Sequence, residues 1–499
     1  MLASVVSATL LGVEGQVVMV EVHVSQGLPA YHVVGLPDTA VRESRERVRA
    51  AMLSSDLAWP QQRITVNLAP GNVRKTGAGL ELAVALGLLL AADELPAGVL
   101  DGVGVIGELG LDGTVRPVPG TLAFVDAVRR AGLTTVIVPE VDAAEAALAR
   151  GVHVRVARTL GELRACLKGE APWPDPPPPA PSRDDDPFED EPLDLADVRG
   201  LAWARRALEV AAAGHHHLLL TGPPGAGKTM LARRLATILP PLADDEAFEA
   251  TRIHSVAGHA PRGLLRRPPV RAPHHTASVA ALVGGGAGRP HPGEVTLASR
   301  GVLFLDELGE FPPRALDALR QPLEERAVRI ARQPMTLTFP ADFLLVACTN
   351  PCPCGLGPPG CACGERERAR YRRRLSAPLL DRFDLRLAVR PPEASDTTGE
   401  SSADVRVRVI SAVDRQRSRL DGTPWRRNGH IPAGALERLV PLGPDALVAW
   451  RAQAELRGLT GRGVARIRRV ARTLADLDDS ADVLETHVLW AALLREDVV

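Results

Sequence analysis

Aromatic residues are scarce in this chain of 499 residues, where eight Phe, six Trp and two Tyr make up 3%. We therefore do not expect stacking on exposed rings to be a main way of binding nucleic-acid bases. Long apolar runs are also missing: the longest, from Leu82 to Ala92, is too short to span a bilayer. The first residues lack the basic segment that opens a signal peptide. We therefore expect a cytoplasmic protein with no membrane partner.

Cysteine is equally rare, with six residues, and four of them lie between positions 352 and 363. Such clustering does not suit a disulfide framework. Two interpretations remain: reduced thiols in a Gly/Pro-rich loop, or a structural zinc site, for which four thiolates are suitable ligands. The candidate zinc ligands are Cys352, Cys354, Cys361 and Cys363.

Net charge is close to zero as well, −1 from 59 basic and 60 acidic residues. An acidic block near position 190 offsets an Arg-rich remainder, so nucleic acid is not excluded as a partner. The length predicts several domains. A Pro-rich, acidic stretch at 171–195 has the composition of an extended linker. It separates an α+β region at 1–170 from a strand–loop–helix region at 196–392, and helical periodicity predicts an all-helical domain at 393–499.

Glycine is abundant where a phosphate-binding loop would need it. The apolar run Leu218–Leu220 leads into a Gly-rich loop that ends in Lys-Thr, the pattern of a strand, a phosphate-binding loop and a helix N-terminus. The predicted nucleotide-binding residues are Gly222, Pro223, Pro224, Gly225, Ala226, Gly227, Lys228 and Thr229.

Polar residues follow two further apolar runs. Asp306 and Glu307 end the first, and they suit a magnesium ligand, shared with Thr229, and a water-polarising carboxylate. Asn350 ends the second and is a candidate sensor of the γ-phosphate. Arg382, after an apolar turn, is a candidate arginine finger.

Six motifs together resemble the magnesium-chelatase-like AAA+ ATPases and, within them, the ComM (YifB-like) branch. They are Asp197–Gly200, Gly222–Thr229, Arg271–Thr276, Gly301–Glu307, Asn350–Cys354 and Leu379–Asp384. The resemblance covers nearly the whole chain. It implies an α/β multidomain protein, with a central AAA+ P-loop domain and a C-terminal helical lid, that uses ATP and Mg²⁺. It also implies a homo-hexamer with Arg382 at the neighbour's γ-phosphate, and Arg462 as the sensor-2 arginine of the lid.

A β-hairpin is predicted from residues 327–330 and 336–339, with a turn at 331–334, and it is similar to the hairpin of chelatase and replicative-helicase motors. In a ring pore, Arg329 and Arg332 could contact DNA phosphates. The alternative is a solvated hairpin with ordinary surface arginines. The basic stretch at 366–374 leaves the same two alternatives open.

Two segments of the N-terminal region, Arg74–Glu81 and Gly107–Val118, resemble the Lon-protease catalytic domain, which has an S5-like α+β fold. That family needs a Ser nucleophile and a Lys base. Here Gly77 and Leu122 stand at those positions, so we expect no proteolysis.

Two histidine groups also stand out in the sequence. The run His215-His216-His217 adjoins a strand and lacks spaced partner ligands, so we do not expect a metal there. His274 and His275 belong to a family motif, but nothing in their chemistry assigns them a role.

These patterns predict an ATP-driven hexameric DNA motor, a helicase promoting branch migration on single-stranded or branched DNA during natural transformation. The alternative is the ATPase subunit of a magnesium-chelatase-type metal insertion complex. A non-hydrolytic scaffold is disfavoured because Lys228, Asp306, Glu307 and Arg382 are all present.

Overall fold

The computed structural model describes residues 1–177, 193–259, 263–286, 290–332, 335–357, 360–391 and 399–496. It confirms the mixed α/β class, with an N-terminal sheet domain, a central parallel-sheet domain and a C-terminal helical region. Most of the linker expected at 171–195 lies outside the described residues. Among the described helices, none is both long and apolar enough to cross a membrane.

The N-terminal domain is built on one mixed sheet. Its strands are β1 (Leu2–Leu11), β2 (Glu14–Ser25), β3 (Ala30–Val34), β4 (Arg63–Ala69), β5 (Val103–Val105), β6 (Glu108–Leu109), β7 (Val115–Arg116), β8 (Thr135–Pro139) and β9 (His153–Ala157). Its helices are α1 (Thr39–Ser54), α2 (Glu81–Ala91), α3 (Thr121–Arg130), α4 (Ala143–Ala146) and α5 (Leu160–Leu167). Seven strands form the sheet in the order β3-β4-β2-β1-β5-β8-β9, and β6 pairs separately with β7.

The central domain contains the predicted phosphate loop. Its strands are β10 (Leu218–Thr221), β11 (Val270–Arg271), β12 (Gly284–Gly285), β13 (His291–Pro292), β14 (Val302–Leu305), β15 (Ala327–Arg332), β16 (Met335–Pro340), β17 (Leu344–Thr349) and β18 (Leu385–Ala388). Its helices are α6 (Ala202–Gly214), α7 (Lys228–Ile238), α8 (Asp244–Val256), α9 (Val279–Val283), α10 (Glu294–Leu297), α11 (Pro313–Ala318), α12 (Arg320–Glu325), α13 (Glu365–Arg372) and α14 (Ala377–Leu380). Five strands form a parallel sheet in the order β11-β14-β17-β10-β18.

The parallel sheet is buried on both faces, as its unbroken apolar strands require. Leu218 and Leu220 of β10 pack into a core shared with the helical region, whereas Leu219 packs into a core shared with the N-terminal domain. The same alternation holds in β14 for Phe304 and Leu305. The sheet is therefore the middle layer between the two other parts of the chain.

The C-terminal region is helical, as the periodicity predicts. Its helices are α15 (Ser402–Arg419), α16 (Leu436–Leu439), α17 (Pro444–Leu456), α18 (Gly461–Leu477) and α19 (Glu485–Leu493). A short 3₁₀ helix, Asn428–His430, follows α15. The region packs against α6 and α7 through α15 and α18.

The β15–β16 hairpin has longer arms than the sequence suggests. Arg332 pairs with Met335 at the end of the ladder, so its backbone belongs to a strand and not to the predicted turn. Residues 333–334 lie outside the described part of the chain. Val328 and Phe339 are buried in the core shared with the N-terminal domain, and this anchors one face of the hairpin.

Glu145 lies at the junction of the N-terminal and central domains. Its carboxylate accepts hydrogen bonds from the Ser255 hydroxyl of α8 and from the backbone N–H of Leu122 at 2.7 Å. Burial raises the pKa of Glu145 from 4.5 to about 7. Leu122, at the position of the lysine in the Lon resemblance, is itself fully buried in this junction.

We predict that Glu145→Gln flattens the dependence of stability on pH. Between the two pKa values, folded wild-type protein retains a proton that the unfolded chain has released. The free energy of unfolding therefore falls as pH rises through this window, by about 3 kcal/mol in all. Gln retains an acceptor for Ser255 and Leu122 but does not ionise. Denaturant unfolding at about pH 5 and about pH 8 measures the effect.

Glu437→Gln is the control, because Glu437 is an exposed glutamate of the helical region. The free energy of unfolding of Glu437→Gln should change with pH as that of the wild type does. Identical pH slopes for wild type and Glu145→Gln would contradict the assignment.

Candidate functional site

A cavity of about 390 Å³ lies at the carboxyl edge of the parallel sheet. The phosphate loop follows β10, Asp306 and Glu307 follow β14, and Asn350 follows β17. Because these three strands are parallel neighbours, their carboxyl ends meet at one edge of the sheet. The cavity is lined by Pro224, Gly225, Ala226, Gly227, Lys228, Thr229, Met230, Asp306, Glu307, Cys348, Thr349 and Asn350.

The phosphate loop needs its glycines for conformation and for space. Gly225 and Gly227 have φ angles of +78° and +88°, in the left-handed region that glycine favours. A Cβ on Gly222 would lie 2.2 Å from the carbonyl oxygen of Val389. Helix α7 begins at Lys228, directly after the loop, so its first backbone N–H groups form an anion-binding helix terminus.

Lys228 is buried beneath the loop. Its ammonium donates to the carbonyl oxygens of Gly222 at 2.6 Å and Pro223 at 2.9 Å, and to Asn350 Oδ1 at 3.1 Å. Burial lowers the pKa of Lys228 below its ordinary value. The lysine and the asparagine predicted from distant motifs are thus in direct contact.

Thr229 and Asp306 are also brought together. The Thr229 hydroxyl donates to Asp306 Oδ2 at 2.9 Å, and Asp306 Oδ1 accepts the backbone N–H of Glu307 at 2.9 Å. Two oxygens of the type that Mg²⁺ prefers therefore lie side by side at the cavity wall.

His275 contacts Glu307, the carboxylate that is predicted to polarise water. The sequence alone did not assign this contact to His275. Its Nδ1 lies 3.2 Å from Glu307 Oε2, and its ring packs against that of His274 with centroids 4.0 Å apart. Glu307 has a φ of +50°, which is unusual for a residue with a side chain. The histidine motif follows a strand, β11, but that strand is only two residues long and contains one charged residue, so no clear strand signal was present there in the sequence.

Arg382 and Arg462 lie together, outside the lining of this cavity. Arg382 Nη2 donates to Glu324 Oε2 at 2.7 Å, and Arg462 Nη2 approaches Glu324 Oε1 at 3.4 Å. The structure thus groups the two arginines around one carboxylate of α12, and sequence reasoning did not single out that carboxylate.

Arg329 lies on the exposed face of the hairpin, with 61% of its side chain accessible. Its guanidinium lies 3.4 Å from Glu325, an exposed pair of a kind that adds little stability. The side chain of Arg332 lies outside the described part of the chain.

The four clustered cysteines converge. Sγ–Sγ distances are 3.3 Å for Cys352–Cys354, 3.7 Å for Cys354–Cys361 and 3.5 Å for Cys352–Cys361. With Cys363, the four sulfur atoms all lie within 4.8 Å of one another. Zinc bound at about 2.3 Å per thiolate requires sulfur atoms roughly 3.8 Å apart. The backbone amide of Leu356, and next the Cys352 thiol, lower the pKa of Cys354 to about 6.

The sheet topology and the groups at its carboxyl edge define an AAA+-like P-loop domain. Residues 194–397 match the family described as magnesium chelatase, subunit ChlI. Residues 20–142 match subunit ChlI of Mg-chelatase, and residues 399–495 match the C-terminal part of that subunit. The chain belongs to the magnesium chelatase ChlI family, and this membership supports an ATPase.

Relatives match over almost the full length. The chain is 44% identical to Rv2897c of Mycobacterium tuberculosis over 94% of each chain. It is 40% identical to YifB of Escherichia coli, with 97% of this chain and 95% of the relative covered. It is 39% identical to the competence protein ComM of Haemophilus influenzae, with 98% and 96% covered. The ComM (YifB-like) resemblance is confirmed.

The N-terminal resemblance to Lon is also confirmed, as a partial match. The chain is 30% identical to Lon protease 2 of Bacillus subtilis over 146 residues, 28% of this chain and 26% of the protease.

We predict about one zinc per chain, held by the four cysteines as a structural site. Elemental analysis of protein purified without chelator should detect it. The pair of substitutions Cys361→Ser and Cys363→Ser should abolish it, whereas Cys166→Ser, at a cysteine outside the cluster, should retain it. Zinc-free native protein in which all four thiols titrate freely would disprove this prediction.

Proposed function

We propose that this chain is an ATP-dependent DNA motor, a cytoplasmic homo-hexameric AAA+ ATPase with helicase activity that promotes branch migration. The convergence of Lys228, Thr229, Asp306, Glu307 and Asn350 on one cavity supports the ATPase. The chain is 39% identical, over nearly its full length, to a protein named for competence. This similarity supports DNA as the substrate, single-stranded or branched, during natural transformation or recombination.

The cavity residues have distinct roles in this proposal. The loop amides at the start of α7 bind the phosphates, and Lys228 exchanges its loop carbonyls for β- and γ-phosphate oxygens. The adjacent oxygens of Thr229 and Asp306 fit a magnesium ion, which when bound neutralises phosphate charge. Glu307 polarises the attacking water, and Asn350 contacts the γ-phosphate or that water.

His275 is a positioning residue for Glu307. An imidazole 3.2 Å from the carboxylate restricts its orientation. With the left-handed backbone of Glu307, this contact determines where the carboxylate points before nucleotide binds.

The pairing of Arg382 and Arg462 on Glu324 supports action between subunits. Neither arginine lines the nucleotide cavity of its own chain. In the proposed ring, Arg382 faces the γ-phosphate held by a neighbouring copy and stabilises transition-state charge there, and Arg462 is the sensor-2 arginine of the lid.

The hairpin is the proposed DNA contact. One face is anchored in the core through Val328 and Phe339, so Arg329 is held on the exposed face of a fixed element. The N-terminal domain, which carries Gly77 and Leu122 at the Lon dyad positions, has a ring-building or DNA-engaging role in this scheme. Zinc at the four-cysteine loop would fix the segment that follows Asn350.

A magnesium-chelatase-type subunit remains the second candidate, because the matching family descriptions name that enzyme. The two functions differ in what stimulates turnover. A DNA motor should hydrolyse ATP faster with forked or branched DNA, whereas a chelatase subunit should respond to its partner subunits and insert Mg²⁺ into a porphyrin.

We predict that Glu307→Gln retains ATP binding and loses most turnover, because the carboxylate acts on water and not on nucleotide. Lys228→Ala should instead weaken binding itself. His275→Gln should lower turnover and leave nucleotide affinity unchanged. In the Glu307→Gln background, the same substitution should cause only a small further loss of turnover. Nucleotide-binding titrations alongside ATPase assays separate these effects, and loss of binding in Glu307→Gln would refute the assigned role.

We predict that Arg382→Ala lowers turnover about 10³-fold. Arg382→Ala and Lys228→Ala proteins, each inactive alone, should regain activity when mixed, because some interfaces then combine an intact loop with an intact arginine. Arg451→Ala, at an exposed arginine of α17, is the control. If verified mixed rings regain no ATPase activity, Arg382 does not act in a nucleotide site shared between two subunits.

We predict that replacing Arg329 and Arg332 by Ala flattens the slope of log affinity for DNA against log salt by roughly 0.7 per lost single-strand phosphate contact. DNA stimulation of the ATPase should disappear while basal hydrolysis remains. The charge-conserving Arg329→Lys, Arg332→Lys protein should retain most of the slope. An unchanged slope with normal unwinding would move the DNA contact elsewhere, with the basic stretch at 366–374 as the next candidate.

A further inference from the structure

A second cavity, of about 100 Å³, lies between the central domain and the helical region. None of its lining residues also lines the nucleotide cavity. Four arginines line it, Arg326, Arg382, Arg466 and Arg469, against the two carboxylates of Asp342 and Asp384. Four positive and two negative side chains leave a formal excess of two positive charges.

Both carboxylates of this cavity already have partners. Asp342 Oδ2 accepts Arg300 Nη1 at 2.8 Å. Asp384 Oδ2 pairs with His216 Nδ1 at 3.1 Å, and Asp384 Oδ1 lies 3.1 Å from Arg466 Nε. The acidic residues of the wall therefore do not account for the remaining arginine donors.

Four buried nitrogen atoms of the wall have no hydrogen-bond partner among the described residues: Arg382 Nε, Arg466 Nη1, His215 Nε2 and His430 Nε2. Arg466 and His430 are only 7% and 8% exposed. Buried polar atoms without partners are uncommon in folded proteins. The arginine atoms are obligate donors, so the group that would satisfy them is an acceptor.

Burial favours the neutral form of both histidines in this wall. Burial lowers the pKa of His215 to about 3 and that of His430 well below its ordinary value. A neutral imidazole with its proton on Nε2 donates one hydrogen bond there. Asp342 Oδ1 lies 3.7 Å from His215 Nε2 and 3.4 Å from His430 Nε2, but neither nitrogen makes a hydrogen bond to a described residue.

A metal ion is the competing interpretation, because one ligand atom from each of His215, Asp342 and His430 lies within 4.8 Å of the others. The argument from sequence that the histidine run lacks spaced partners is therefore wrong for His215. Charge nevertheless opposes a cation. Arg326 Nε lies 3.7 Å from Asp342 Oδ1, and Arg300 holds the other oxygen of that carboxylate.

We propose that this cavity binds a phosphate-class oxyanion, held by the guanidiniums of Arg466 and Arg382 and by the imidazoles of His215 and His430. Two of these residues belong to the central domain and two to the helical region, so the anion would join the two parts. Its source is either free inorganic phosphate or the terminal phosphate of a nucleotide bound to a second copy of the chain. The free-phosphate source is independent of the proposed function, whereas the second-copy source rests on it.

The first arm of the test uses full-length Lys228→Ala protein, in which the phosphate loop is weakened. Thermal unfolding is followed at increasing inorganic phosphate, with sodium chloride at matched ionic strength as reference. Phosphate should raise Tm beyond chloride, since a ligand of the folded state stabilises it by mass action. Adding Arg466→Gln or His215→Asn should weaken the apparent phosphate affinity about tenfold or more, as expected for a lost charged or buried hydrogen bond.

Two features keep the variants interpretable. His215 has a φ of +57°, a conformation that Asn tolerates well, so His215→Asn replaces the imidazole by a shorter side chain without adding backbone strain. Arg451→Gln, at an exposed arginine of α17, is the charge-matched control for Arg466→Gln and should leave the phosphate effect unchanged.

The second arm distinguishes the sources. Lys228→Ala subunits are titrated with wild-type copies loaded with a non-hydrolysable ATP analogue, and association is measured by sedimentation. Phosphate-specific stabilisation of dilute, unassembled subunits identifies free phosphate. Association weakened by His215→Asn and Arg466→Gln, but not by Arg451→Gln, without such stabilisation identifies the second copy's nucleotide. No variant-sensitive effect in either arm overturns the proposal.

Discussion

The parallel sheet of the central domain can keep only one register, because its strands are buried on both faces. Leu219 pairs with Ala347 and Leu303 with Leu345, and side chains on either side of each residue enter the opposite core. A shift by one residue would exchange the two sets of side chains throughout a strand. Burial on both faces thus fixes where β10, β14 and β17 end, and all polar chemistry of the nucleotide cavity begins at those ends.

The Glu145 junction extends this constraint to the N-terminal domain. In the Lon resemblance, the position of Leu122 belongs to a catalytic lysine; here it is fully buried, and its backbone N–H donates to Glu145. A lysine would place an ammonium in a core that also contains Ile253 and Val256 of α8. The position that serves chemistry in the protease family therefore serves packing between domains in this chain.

The parts of the site that sequence could predict are local. The phosphate loop, the Asp306–Glu307 pair and Asn350 each follow an apolar strand, and strand ends of a parallel sheet meet by geometry. The contacts of Arg462 and His275 could not be predicted in this way, because they depend on how helices and loops pack. Glu324 carried no motif of its own, although it contacts both the predicted arginine finger, Arg382, and the predicted sensor-2 arginine, Arg462.

The same limit explains the histidine run. His215 and His430 lie 215 residues apart, and only docking of the helical region on the central domain brings them to one cavity. Arg382 links that cavity to the proposed interface site, since it lines the cavity, its Nη2 donates to Glu324, and its Nε is buried without a partner among the described residues. Only 10% of the Arg382 side chain is exposed. Arg382 therefore cannot move toward a neighbour's nucleotide without altering its contact with Glu324 or its place in the cavity wall. The position of the helical region and the distance that Arg382 can extend toward a neighbouring copy are therefore coupled, because one guanidinium takes part in both sites.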